Sequence, residues 1–125
     1  MSRRVLVVDD DDAIREVAQS SLELVAGWEV EVASSGLQAL DLAVAGPPDA
    51  IILDVMMPAM DGPTTFARLQ ADTRTRNVPV VLLTAKVQPA ERRRWERLGV
   101  AGVLAKPFDP LELPGQIADL LGWDT

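Results

Sequence analysis

Two stretches of this chain, Val5-Leu6-Val7-Val8 and Val80-Val81-Leu82-Leu83, are apolar at every position. A strand with one wet face alternates apolar and polar residues; a continuously apolar strand is covered on both faces, as in a parallel sheet. Short β-rich runs of this kind recur at 4–8, 28–33, 50–53, 78–83 and 102–104. Longer helical patterns lie between them. Residues 12–26 place Ile14, Val17, Ala18, Leu22 and Val25 near helical spacing. Ser34 or Ser35 can cap a second helix to about Val44, which Gly46-Pro47-Pro48 stops. Further helices are expected over 62–71, 89–98 and 110–121. Pro89 and Pro110 suit a first helical position, and Gly99 and Gly122 suit helix ends. Five strands alternating with five helices imply βαβ crossovers and a mostly parallel α/β sheet.

Composition narrows the chemistry. The 125 residues fit one domain. Such a chain buries roughly two thirds of its unfolded surface, enough for an ordinary core. There is no cysteine and no histidine, so thiolate sites, disulfides and a phosphohistidine of its own are excluded. The net charge of −7 argues against direct nucleic-acid binding and suits an acidic site for cations. No apolar run approaches the ~20 residues that span a bilayer, and the run at 5–8 is too short for a signal peptide. A cytoplasmic location is the expectation, with no membrane partner.

In open α/β sheets, sites form beyond the carboxyl ends of the strands. Here the first strand is followed by Asp9, Asp10, Asp11 and Asp12, the third by Asp54, the fourth by Thr84 and the fifth by Lys106. Taken singly, each has an ordinary explanation: Asp11 and Asp12 as a helix cap and first turn, Asp54 as a turn residue, Thr84 as a β-former, Lys106 as a solvated charge. Their conjunction at matching strand ends is what points to chemistry. Two carboxylates ~4 Å apart repel by several kcal/mol at an effective dielectric near 20, so the group calls for compensation. Lys106 supplies one positive charge, and a hard divalent cation such as magnesium would supply the rest. Such a cluster suits phosphoryl transfer to a carboxylate, where catalysis is positioning plus charge stabilisation.

Four motifs carry a resemblance to a known family. Val5 to Asp11, Ile51-Ile52-Leu53-Asp54-Val55-Met56-Met57-Pro58-Ala59-Met60-Asp61-Gly62, Val80 to Ala85, and Leu104-Ala105-Lys106-Pro107-Phe108-Asp109-Pro110 resemble, in order and spacing, the receiver domains of two-component response regulators. The resemblance covers residues 3–121, the core of a single domain spanning 1–125. It implies a flavodoxin-like (βα)5 doubly wound sandwich, a five-stranded parallel sheet of order 2-1-3-4-5. It implies that Asp54 is the phospho-acceptor, with Asp10 and Asp54 ligating Mg2+ directly, Asp9 largely through water, and the Met56 backbone carbonyl completing the protein ligands. Thr84 and Lys106 would contact the phosphoryl group. The donor would be a sensor histidine kinase or a histidine phosphotransfer protein. The output would be a downstream protein partner or a further domain, reached through the fourth helix, fifth strand and fifth helix. A homodimer stays open. The implied role is a switch, without turnover of a separate substrate.

Some positions depart from the family pattern. Val103 stands where receivers usually carry an aromatic switch residue, and Trp95 stands where they usually carry a small one. Trp95 either fills volume near the missing ring or is a simple core or partly exposed residue. Pro114-Gly115 interrupts the fifth helical pattern, predicting a kink or a restart at Pro114. Met56, with no group to orient water, and the cationic Lys86 predict slow self-dephosphorylation. Arg92, Arg93, Arg94 and Arg97 form either a solvated face or a docking surface for an acidic partner. Two other functions remain in view. A hydrolytic aspartyl-phosphatase would place a second aspartate where Met56 stands; a phosphorylation-independent module would not need the acidic set.

Overall fold

The computed structural model describes residues 3–85 and 88–124. Strands and helices alternate: β1 (Arg4–Val8), α1 (Asp12–Leu24), β2 (Glu29–Ala33), α2 (Gly36–Ala45), β3 (Ala50–Asp54), α3 (Gly62–Ala71), β4 (Val80–Thr84), α4 (Pro89–Leu98), β5 (Gly102–Ala105) and α5 (Leu113–Leu121). All four strand pairings are parallel, in the order β2-β1-β3-β4-β5. This is the sheet that the resemblance implied.

Successive strand residues point to opposite faces. Leu6, Val8, Ile51, Leu53 and Leu82 pack with Ala39, Ala43, Phe66, Leu69 and Trp95 of α2, α3 and α4. Val5, Val7, Ile52, Val81 and Leu83 pack with Ala18, Leu22, Leu113 and Ile117 of α1 and α5. The two layers explain why β1, β3 and β4 carry no polar alternation. The chain leaves β1 toward β2 on one side and β3 on the other, so a crevice opens between the ends of β1 and β3.

Local punctuation sets the helices. The Asp11 carboxylate caps α1, accepting from the Ala13 and Ile14 amides. Ser35, rather than Ser34, caps α2 through the Gln38 amide. Asp61 caps α3 through the Thr64 amide. Gly99 and Gly122 close α4 and α5 with positive φ. Several sequence boundaries move. α1 ends at Leu24, and β2 begins at Glu29 because Trp28 turns into the core, its amide bonded to the Leu22 carbonyl. β4 begins at Val80, since the Val78 amide closes a turn onto Thr75. Pro110 does not open α5. The Asp109 carboxylate and carbonyl hold 110–113 in a turn, and the helix starts at Leu113 with Pro114 in its first turn. Proline is tolerated there because that amide has no helical partner to lose, so the restart is what occurs and no kink is needed.

Candidate functional site

The strand ends bring three carboxylates and one ammonium together. Asp9 follows β1 and is fully buried; Asp54 ends β3 and is 4% exposed. One oxygen each from Asp9, Asp10 and Asp54 lies within 4.8 Å of the others. Lys106 reaches in from the end of β5: its Nζ donates to Asp9 Oδ2 at 2.6 Å and to Asp54 Oδ1 at 2.9 Å. Its backbone amide bonds the Thr84 carbonyl at 2.9 Å, so β4 and β5 are tied where the two residues enter the site. Thr84 is buried at the end of β4. Asp10 is exposed at the mouth of the crevice.

Electrostatics follow from one ammonium serving two buried carboxylates. Burial raises the Asp54 pKa above its ordinary 3.8; the Lys106 hydrogen bond and the Met56 amide pull it down, the Asp9 charge pushes it up, and the net is upward. Burial works against the Lys106 ammonium, but its bonds to Asp9 and Asp54 outweigh it, so its pKa stands above 10.5. The lysine is thus over-compensated and Asp54 under-compensated. An added divalent cation would complete the charge balance, and an all-oxygen donor set is the chemistry that magnesium takes. The residues present therefore fit that ion.

The loop from β3 to α3 holds the end of β3 in place. The Gly62 amide donates to the Val55 carbonyl at 2.9 Å. A Cβ at Gly62 would stand 2.4 Å from the Asp54 carbonyl oxygen and 2.9 Å from the Val55 Cα, so glycine is required by close approach. Met56 lies in this loop and is 75% exposed.

Val103 is buried in the same core layer as Trp95, which is 7% exposed. Trp95 is therefore a core residue, and it is the one buried residue of α4. All four arginines of the basic cluster are exposed, and Arg92 differs in that its Nη2 donates to the Val103 carbonyl at 2.9 Å. Lys86 lies outside the described residues. Sequence reasoning passed over Arg15, whose guanidinium bonds the Asp9 carbonyl and Asp12. The available signal was its spacing of three residues from Asp12. Among the described residues, no helix is long and apolar enough to cross a membrane.

Comparison with known proteins agrees with the geometry. Residues 5–118 match the model of the response regulator receiver domain family. The chain belongs to that family. This receiver domain is 40% identical over 118 residues to the DNA-binding dual master transcriptional regulator RpaA of Synechocystis sp., covering 94% of the chain and 48% of RpaA. It is 40% identical over 121 residues to the response regulator MprA of Mycobacterium tuberculosis, covering 97% of the chain and 51% of MprA. The chain thus spans about half the length of these curated relatives. Among solved structures, the chemotaxis protein CheY4 of Vibrio cholerae superposes with a TM-score of 0.89 at 32% identity, covering 96% of this chain and 99% of that one. Receiver domains are signalling modules of two-component systems, acting as switches rather than as enzymes that turn over a substrate.

Proposed function

We propose that this receiver domain is a magnesium-dependent phosphoryl switch with Asp54 as the acceptor. The observation that carries the reading is Lys106, bonded at once to Asp9 and Asp54, with Asp10 alongside. Magnesium, when bound, would neutralise the carboxylates and hold one phosphoryl oxygen. Asp10 and Asp54 would ligate it directly, Asp9 largely through water, and Met56 through its backbone carbonyl.

The chain's own groups do the rest. An Asp54 carboxylate oxygen attacks the phosphorus of a phosphohistidine. A P–O bond forms, the P–N bond breaks, and its electron pair returns to the donor imidazole. Lys106 and the Thr84 hydroxyl take phosphoryl oxygens as charge builds on them. Occupancy at Asp54 then biases the packing of α4, β5 and α5, which changes partner binding. A histidine kinase or phosphotransfer protein supplies the phosphoryl group. RpaA is named as DNA-binding, so in regulators of that kind the output includes nucleic acid. The net charge of −7 supports a phosphoryl-receiving rather than a DNA-contacting role for this domain.

Intact-mass measurement after incubation with acetyl phosphate and magnesium tests the reading. One added phosphoryl group is expected on the wild type and none on Asp54→Asn. Equal labelling of both, or none on the wild type, would overturn it. Because Met56 offers no group to orient water, the phosphorylated form is expected to decay slowly, and decay within seconds would remove that element.

A further inference from the structure

Resting on the proposed magnesium site, we infer that Arg15 is a positioning residue for its carboxylates. Four consecutive aspartates, Asp9 to Asp12, make the turn from β1 into α1. Such a run repels itself, yet Asp9 and Asp10 must hold a defined separation from Asp54 to share an ion. Arg15 braces the turn at both ends. Its Nη1 donates to the Asp9 backbone carbonyl at 2.8 Å, and its Nη2 pairs with the Asp12 carboxylate. The side chain is only 18% exposed. Inside the same turn, the Asp11 amide donates to Asp9 Oδ1 at 2.9 Å, and the Asp11 carboxylate caps the helix. Asp10 is therefore carried on a segment fixed before and after it. A planar guanidinium suits this task because its donors diverge at fixed angles and reach two acceptors together; an ammonium is a single point.

Two effects of Arg15 on magnesium oppose each other, and this makes the assignment testable. As a bare charge near the site, Arg15 would repel the ion, and its removal would tighten binding. As a brace, its removal would loosen binding. The guanidinium faces Asp12, whose side chain is 86% exposed, so solvent screens the charge there and the brace dominates.

Calorimetric titration of magnesium into the chain, without phosphodonor, reads the sign. Arg15→Met is expected to weaken magnesium binding by about tenfold, the lower range for residues that orient metal ligands. Arg15→Lys keeps the charge but not both tethers, and is expected to fall between Arg15→Met and the wild type. With acetyl phosphate, Arg15→Met should raise the magnesium concentration for half-maximal labelling and leave the rate at saturating magnesium unchanged. Binding by Arg15→Met as tight as the wild type's, or tighter, overturns the assignment. Should Arg15→Met not fold, Arg15→Lys decides alone: weaker binding supports the brace, and wild-type affinity overturns it. A wild type that takes no magnesium would instead overturn the function proposed above, and this inference with it.

Discussion

Two corners of the molecule have the same plan and opposite construction. At one, β1 leads through Asp9 into α1; at the other, β4 ends in Thr84 and leads toward α4. The first corner is cross-braced. Asp9 is bonded by Lys106 and by the Asp11 amide, Arg15 spans the turn, Asp11 caps the helix, and Ala18, Ser21 and Leu22 are buried. At the second, α4 buries little of itself. Gln88 makes no side-chain cap bond, Trp95 is the single buried residue of α4, and Arg92 reaches the Val103 carbonyl. An ion site needs its ligands fixed in advance, whereas a signalling surface is drawn from elements of low local stability. On the function proposed above, the two jobs fall to the two corners.

Four changes would break or sharpen that contrast. The largest effect is expected from Lys106→Met, which leaves two buried carboxylates without their ammonium; about 4 kcal/mol of stability should be lost in urea titrations at neutral pH without magnesium. In the wild type, the contribution of Lys106 is complete below pH 10.5, since its folded pKa is raised, and fades as pH rises through the folded value. Trp95→Ala should cost about 3 kcal/mol or leave α4 detached from an otherwise folded domain. Hydrogen exchange separates the cases: α4 amides should lose protection while α1 keeps it. Equal loss in both helices would end the contrast. Asp11→Ala should cost about 1 kcal/mol, and Gln88→Ala next to nothing, because only the first removes a capping bond.

A fifth change has the opposite sign. The folded pKa of Asp54 is raised, so its ionised form is a net cost to the folded state. That cost is absent below pH 3.8, where the group is neutral folded and unfolded, and is complete once pH exceeds the folded pKa. Asp54→Asn should therefore raise the melting temperature at pH 7 without magnesium, with the gain vanishing toward low pH. Lys106 would keep Asp9 as a partner, which limits the change. A lower melting temperature at pH 7 would show that the lysine compensates both carboxylates in full.

What the sequence made legible follows from how local each cause is. Continuous apolar strands announced the two-layered parallel sheet, and α3 and α4 lie over the expected residues because Asp61, Pro89 and Gly99 punctuate them. Asp9, Asp10, Asp54 and Lys106 were legible as a group because strand ends in such folds converge. The start of α5 was misread because two prolines, Pro110 and Pro114, each fit a helical first turn, and the Asp109 turn decides between them. The reach of Arg92 to the Val103 carbonyl and of Arg15 to the Asp9 carbonyl was hidden, since both acceptors are backbone atoms that leave no mark on residue type.

The contact beneath Gly62 has a practical consequence. The opening residue of α3 rests on the main chain of Asp54 itself, with no room for one methyl group between them. A side chain there would act as a wedge, displacing the proposed acceptor without removing any charge from the crevice. Gly62→Ala thus offers an off-state of the protein that separates misplacing the acceptor from removing it, which replacement of Asp54 alone does not do.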